Sequence, residues 1–218
     1  MGAVAISSVA PGAYPWLGEP AATLPTAVQF FSSVARATEL PFYPYWLGGA
    51  LADAKQYLAA MRGIPTFAGL KYTSGDLYTL QQLRAWAPSV LGRELNLLSG
   101  CDEVNLAACT MGADGAIGST YNLMPRLFVA MRTDFELGRA AEAMELQRRA
   151  NVVIEILLRC CHCDSRGTNI VAGLKAACRQ LQGLPAGYGR AATRSVTWSS
   201  EDEAELLAEL RAVGFQVA

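Results

Sequence analysis

Apolar and polar positions along the chain follow two alternating rhythms. Apolar runs of strand length occur at residues 3–9, 41–45, 66–71 and 94–98, with a very short one at 116–117 between glycines. Stretches with helical spacing lie between them. Thr23 reads as the cap of a helix to about Ala37, with Pro25 in its first turn, where a missing N–H costs nothing. Residues 50–61 place Leu51, Tyr57, Leu58 and Met61 on one side of a second helix. Asp76 is expected to cap a third over 77–86, closed by Pro88, and a fourth spans 102–111. Pro44 weakens its strand unless the N–H it lacks is not needed there. Beyond residue 117 the pattern is helical only, at 137–159, 169–182 and 201–213, with a Gly-, Pro- and Ser-bearing linker at 183–199.

Strands alternating with helices imply parallel strands joined by helical crossovers. In such folds chemistry sits at the carboxyl ends of the strands. The residues placed there are Tyr45, Lys71, Thr73, the run Gly100-Cys-Asp-Glu103 and the run Gly118-Ser-Thr120. An amine, a phenol, two carboxylates and several hydroxyls would therefore share one rim.

Composition narrows the function. The 218 residues are 52% hydrophobic, enough for one sizeable core. Net charge is -1, and no Lys/Arg run exceeds two, so a nucleic-acid groove is not expected. No apolar run reaches the length of a membrane span, and the first positive charge is Arg36, so the start lacks the basic flank of a signal peptide. The expectation is a soluble, cytoplasmic protein whose six cysteines are thiols. The cluster Cys160-Cys-His-Cys-Asp164 is read as a helix end with buried thiols rather than a metal site, because adjacent ligands rarely point at one ion.

Lys71 stands out. The chain has three lysines and fifteen arginines, yet it ends an apolar strand on a lysine. Desolvation favours a neutral, nucleophilic amine, and such an amine captures ketones as a Schiff base. The plain alternative is a lysine snorkelling from a strand end. Tyr45, at the end of the neighbouring strand, is either a proton carrier or an aromatic at the core edge. By themselves, Asp102, Glu103 and Ser119 read first as helix caps.

The segments FYPY (42–45), GLKYTSGD (69–76), GCDE (100–103) and GADGAIGSTYN (112–122) occur in the order and spacing of the N-acetylneuraminate lyases. These are class I aldolases of the dihydrodipicolinate synthase-like family, and the resemblance covers essentially the whole chain. Dihydrodipicolinate synthases themselves typically carry an acidic residue soon after the lysine, where this chain has Tyr72-Thr73-Ser74. The resemblance implies an α/β fold, a partial (β/α)8 TIM barrel. Its last five strands, four to eight, would occupy residues 1–136, and three C-terminal helices would pack on it over 137–218. It implies that Lys71 is the Schiff-base lysine and Tyr45 the proton relay. Thr73, Gly100, Asp102, Glu103 and Ser119 would hold the hydroxyl chain of a sialic acid cleaved to N-acetylmannosamine and pyruvate. It further implies a homotetramer with no metal or organic cofactor. In the family, the loop that holds the pyruvate carboxylate lies on the second barrel strand, and no such loop precedes Lys71. The loop at 11–15 retains one aromatic, Tyr14, where the family usually has more. Two functions are therefore expected: an active aldolase, or an inactive, N-terminally truncated relative.

Overall fold

A computed structural model describes residues 2–12, 22–48, 52–162, 170–185 and 198–215. The aromatic loop at 11–15 beyond Gly12, the residues Cys163 and Asp164, and most of the 183–199 linker lie outside these. The chain forms two compact units, Met1–Gly118 and Ser119–Ala218.

The first unit is a five-stranded parallel sheet in the sequential order β1 (Ile6–Val9), β2 (Phe42–Trp46), β3 (Gly69–Tyr72), β4 (Asn96–Ser99), β5 (Gly115–Ala116). Helices α1 (Leu24–Ala35), α2 (Ala54–Met61), α3 (Leu77–Leu91) and α4 (Asn105–Thr110) form the crossovers. The order never reverses, which is the arrangement of a barrel arc rather than of a doubly wound sheet. Three N-caps act as their sequences require. Thr23, Asp53 and Asp76 each accept a backbone N–H three residues on, at 3.4, 2.8 and 3.0 Å. The α2 cap therefore lies at Asp53, inside the expected span.

The core fills the space between one face of the sheet and α1–α3. Phe42, Trp46, Leu70, Tyr72 and Leu97 meet Phe31, Tyr57, Leu58, Met61, Leu80 and Leu83, all buried. Trp46 stacks on Tyr57 at 4.2 Å between centroids, and Tyr72 meets Trp46 edge-on at 5.3 Å. Because side chains alternate along a strand, Tyr43, Tyr45, Lys71 and Leu98 point to the opposite face, where they are only half-buried.

Three expectations change. Pro88 does not close α3. It sits inside the helix, which runs on to Leu91 and ends at left-handed Gly92, whose N–H reaches the Pro88 carbonyl at 3.0 Å. The helix expected over 102–111 begins as a 3₁₀ turn, Asp102–Val104, before α4. A helix unforeseen in the sequence, α5 (Pro125–Glu136), opens the helical region, with Pro125 in its first turn and Phe128 and Met131 buried.

In the second unit α5 packs along α6 (Ala140–Cys160), and α8 (Ser200–Ala212) packs on α6 and α7 (Ile170–Leu181). The buried stripe of α6, Ala143, Gln147, Ala150, Ile154 and Leu157, steps by three and four. Cys160 and Cys161 are buried at its end. His162 adopts a positive φ of 52° and bonds Asp202 at 3.2 Å. Asp202 and Ser199 form a reciprocal capping box that starts α8.

Candidate active site at the sheet rim

The carboxyl rim of the sheet is stitched together beyond the strand ends. Thr73 N–H donates to Trp46 O, Gly100 N–H to Tyr72 O and Ile117 N–H to Ser99 O, each at 2.8 Å. Residues just past β3, β4 and β5 are thereby held as firmly as the strands.

Tyr45 and Lys71 are register partners in this sheet. A one-residue slip brings them together. At the start of the strands Phe42 pairs with Phe67, an offset of 25, whereas Tyr45 pairs with Lys71, an offset of 26. β3 thus holds one residue more than β2 opposite Tyr43 and Pro44. Phe42 uses its N–H and C=O towards β3, accepting from Ala68 and donating to Thr66 O, so Pro44, two residues on, lacks the donor that the ladder would need. The extra residue is accommodated at that gap, as in a bulge. Without the slip Lys71 would pair with Trp46 and point into the helix-covered core. With it, the lysine lies beside Tyr45 on the open face, Nζ 4.0 Å from the ring centroid. A cation over an aromatic face at this depth is stabilised by about 0.5–1 kcal/mol.

Gly100 makes room for Lys71, and Gly69 for the Tyr43 ring. A Cβ at Gly69 would lie 2.2 Å from the Tyr43 ring and 2.4 Å from the Asn96 carbonyl oxygen. A Cβ at Gly100 would lie 1.7 Å from Thr73 Oγ1 and 2.9 Å from Lys71 Cε. Gly100, Thr73 and Lys71 therefore touch. The Thr73 hydroxyl is buried and has no hydrogen-bond partner among the described residues. An unsatisfied buried hydroxyl costs about 1–3 kcal/mol and asks for an explanation. The loop after β2 packs back on this wall: Gly48, at φ +76°, leaves space for Ser74, whose side chain a Cβ would meet at 2.6 Å.

The two adjacent carboxylates part company. Asp102 is buried and Glu103 is exposed. Asp102 lies over Gly118, where a Cβ would meet Oδ1 at 1.5 Å. Neither acid occupies an N-cap position, which Cys101 and Val104 hold without side-chain caps, but both lie in the first turn of the 3₁₀ helix, where negative charge suits the dipole. Ser119 is exposed and its hydroxyl caps nothing, while its carbonyl accepts from the Asn122 side chain at 2.8 Å. It begins the second unit, whereas Tyr45, Lys71, Thr73, Gly100, Asp102 and Glu103 all belong to the first.

Cys101 received no role from its sequence, yet it sits within this set. Burial pushes its thiol up to about 11, the carboxylates of Glu103 and Asp102 push the same way, and Lys71 opposes them. The thiol is therefore protonated at neutral pH, a weak donor beside the amine. Its only sequence signal was its place between Gly100 and Asp102. A second device lies away from the rim. Arg84 of α3 donates to Gly112 O at 3.0 and 2.6 Å, to Leu95 O at 2.9 Å and to Asp114 at 2.5 Å. Asp114 in turn accepts the Leu97 N–H at 2.7 Å. This cluster ties the turn before β5 to β4, and so fixes the approach to Gly118.

Among the described residues no group of His, Cys, Asp and Glu is placed to hold a metal ion, and no helix is long and apolar enough to cross a membrane.

Comparison with known proteins gives a consistent picture. A model of the dihydrodipicolinate synthetase family matches residues 1–211. An N-acetylneuraminate lyase of Rhizobium meliloti is 32% identical over 210 residues, 96% of this chain and 62% of the relative. One from Citrobacter koseri is 33% identical over 174 residues, covering 78% of this chain and 52% of the relative. Among solved structures, the N-acetylneuraminate lyase (sialic acid aldolase) of Aliivibrio salmonicida superposes with a TM-score of 0.77 at 25% identity, over 98% of this chain and 66% of that one. The chain thus spans about three-fifths or less of the length of these curated relatives, and its five strands form part of a (β/α)8 barrel.

Proposed function

The chain belongs to the dihydrodipicolinate synthetase family, and from that premise we propose that it is a class I aldolase that cleaves N-acetylneuraminate to N-acetylmannosamine and pyruvate. The observation that carries the reading is the Tyr45–Lys71 pair, partners in register with Nζ 4.0 Å from the ring centroid. The names of the relatives support the choice of substrate.

The Lys71 amine attacks the C2 ketone of the open-chain sugar, and water leaves as the imine forms. Tyr45 takes the proton of the C4 hydroxyl as the C3–C4 bond breaks. The bonding pair flows into the protonated imine and leaves an enamine, while C4 departs as the aldehyde of N-acetylmannosamine. Protonation of the enamine at C3, then hydrolysis, releases pyruvate and restores the amine. The imine is itself the electron sink, so the scheme uses no metal or organic cofactor. Thr73 Oγ1, buried without a partner, is suited to a sugar hydroxyl or to the ketoacid, and the Asp102 and Glu103 carboxylates are acceptors for a polyol. The Gly100 backbone completes the proposed substrate contacts of the first unit. The reading includes a cytoplasmic homotetramer with the barrel segment at 1–136 and the helical extension at 137–218.

A second reading, an inactive relative without the pyruvate carboxylate loop, is favoured by the open sheet: among the described residues β1 and β5 each pair on one side only. One experiment separates the two. The chain is incubated with pyruvate, reduced with borohydride and mapped by peptide mass. An adduct on Lys71, absent in Lys71→Ala, is the expected result. A folded protein that traps no pyruvate overturns the enzyme reading in favour of the inactive one.

A further inference from the structure

The second unit carries a cavity of about 790 Å³ where the start of α5, the middle of α6, the end of α7 and the residues after α8 meet. Its size falls within the roughly 300–1,000 Å³ of small-molecule pockets. None of its lining residues belongs to the rim set. Leu123, Leu146, Val153 and Phe215 give it an apolar wall, and Arg126 and Arg149 supply its only charges, with no acidic residue in the lining.

Those two arginines, with Arg211, differ from the other described arginines of the unit, and of the three only they line the cavity. Arg132, Arg139, Arg148, Arg159 and Arg179 of the same unit are each ion-paired. Neither Arg126 nor Arg149 has an ion pair or side-chain hydrogen bond among the described residues. Arg126 also stands in the first turn of α5, where a cation opposes the helix dipole. That turn has no side-chain cap and no acidic residue. Two unpaired guanidiniums and an uncapped helix start therefore line one apolar cavity. An anion would satisfy all three, and an apolar body attached to it would fill the rest.

We propose that this cavity binds a small amphipathic carboxylate, its anionic head between Arg126 and Arg149 and its apolar portion against Leu146, Val153 and Phe215. The charge complementarity selects this occupant. A neutral apolar ligand would leave both arginines unpaired, and a sugar would waste the apolar wall.

The probe is 4-phenylbutyrate, which has no ketone and so cannot enter the imine chemistry of Lys71. Binding to the full chain is followed by ligand-observed NMR, with 4-phenylbutyramide as the uncharged isostere. The expected dissociation constant for so small a ligand is about a millimolar or below. The amide and the Arg126→Gln/Arg149→Gln variant should each weaken binding about tenfold or more, with circular dichroism unchanged because both side chains are exposed. Leu146→Trp, which fills the cavity, should abolish binding while Lys71 trapping is unaffected. No detectable binding overturns the proposal. So does equal binding of acid and amide, or wild-type affinity in the arginine variant. A change of oligomeric state on the same substitutions would instead make this face a subunit contact, and would also overturn it.

Discussion

Replacing Gly100 by alanine should disable the rim with one methyl group. The new Cβ would lie 1.7 Å from Thr73 Oγ1 and 2.9 Å from both Thr73 Cβ and Lys71 Cε, against a floor of 3.0 Å for real contacts. Rotating Thr73 about χ1 moves its hydroxyl away but leaves Cβ where it is. The Thr73 backbone is tied to Trp46 O at 2.8 Å, and Gly100 N–H to Tyr72 O at 2.8 Å, so neither strand end shifts freely. Lys71 can swing aside, but its Nζ then leaves the Tyr45 ring. Overpacking of this kind costs about 1–3 kcal/mol, and 2 kcal/mol corresponds to ~4–8 °C of melting temperature in a chain of this size. Denaturant unfolding measures the stability, and borohydride trapping of pyruvate reads the position of the amine. Trapping should fall about tenfold or more. Thr73→Ala removes the 1.7 Å contact but keeps Cβ, so the double variant should recover part of the lost stability. If the two substitutions add within about 0.5 kcal/mol in a double-mutant cycle, they do not meet, and the packing argument for this rim fails.

Three other outcomes follow from the same geometry. Arg84→Met removes the donor that Gly112, Leu95 and Asp114 share and should cost about 2–4 kcal/mol in urea unfolding; a loss below about 0.5 kcal/mol would mean the cluster does not hold the β4–β5 turn. Hydrogen bonds from Thr79 lower the carboxyl of Asp76, and bonds from Ser199 and His162 lower that of Asp202. Both folded values lie below the unfolded value of about 3.9. The stability they confer is complete above that pH and is lost as pH falls through the folded values; Asp76→Asn and Asp202→Asn should flatten the acid limb of a stability–pH curve, and an unchanged limb would refute this. Cys101 should react with iodoacetamide at pH 7.5 at least tenfold more slowly than an unperturbed thiol, and faster in Glu103→Gln, because losing that negative charge favours the thiolate; a slower reaction in that variant would contradict the charge argument.

Elements whose signals are local were legible in the chain. Thr23 and Asp76 cap their helices through their own neighbours in sequence, and the strand–helix alternation led to the parallel sheet. One local signal misled. Pro88 looked like a stop, but a proline one turn from a left-handed glycine leaves the chain free to end at Gly92. α5 went unread because Phe128 and Met131 form a buried face only once the helix has packed.

The site divides along the same line. Residue types and spacing alone brought Tyr45, Lys71, Thr73, Gly100, Asp102 and Glu103 to the carboxyl ends of β2, β3 and β4, because a strand end is a position along the chain. Which of them meet is a matter of register and packing. The slip at Pro44 turns Lys71 towards Tyr45, and Gly118 draws Asp102 inward while Glu103 stays in solvent. The place of Cys101 among these charges and the pairing of Arg84 with a turn 28 residues away belong to the same class. Local backbone preference and side-chain period act over a few residues and can be read directly from the sequence. Contacts between strands depend on where separate segments come to rest against one another, and only the folded chain decides that.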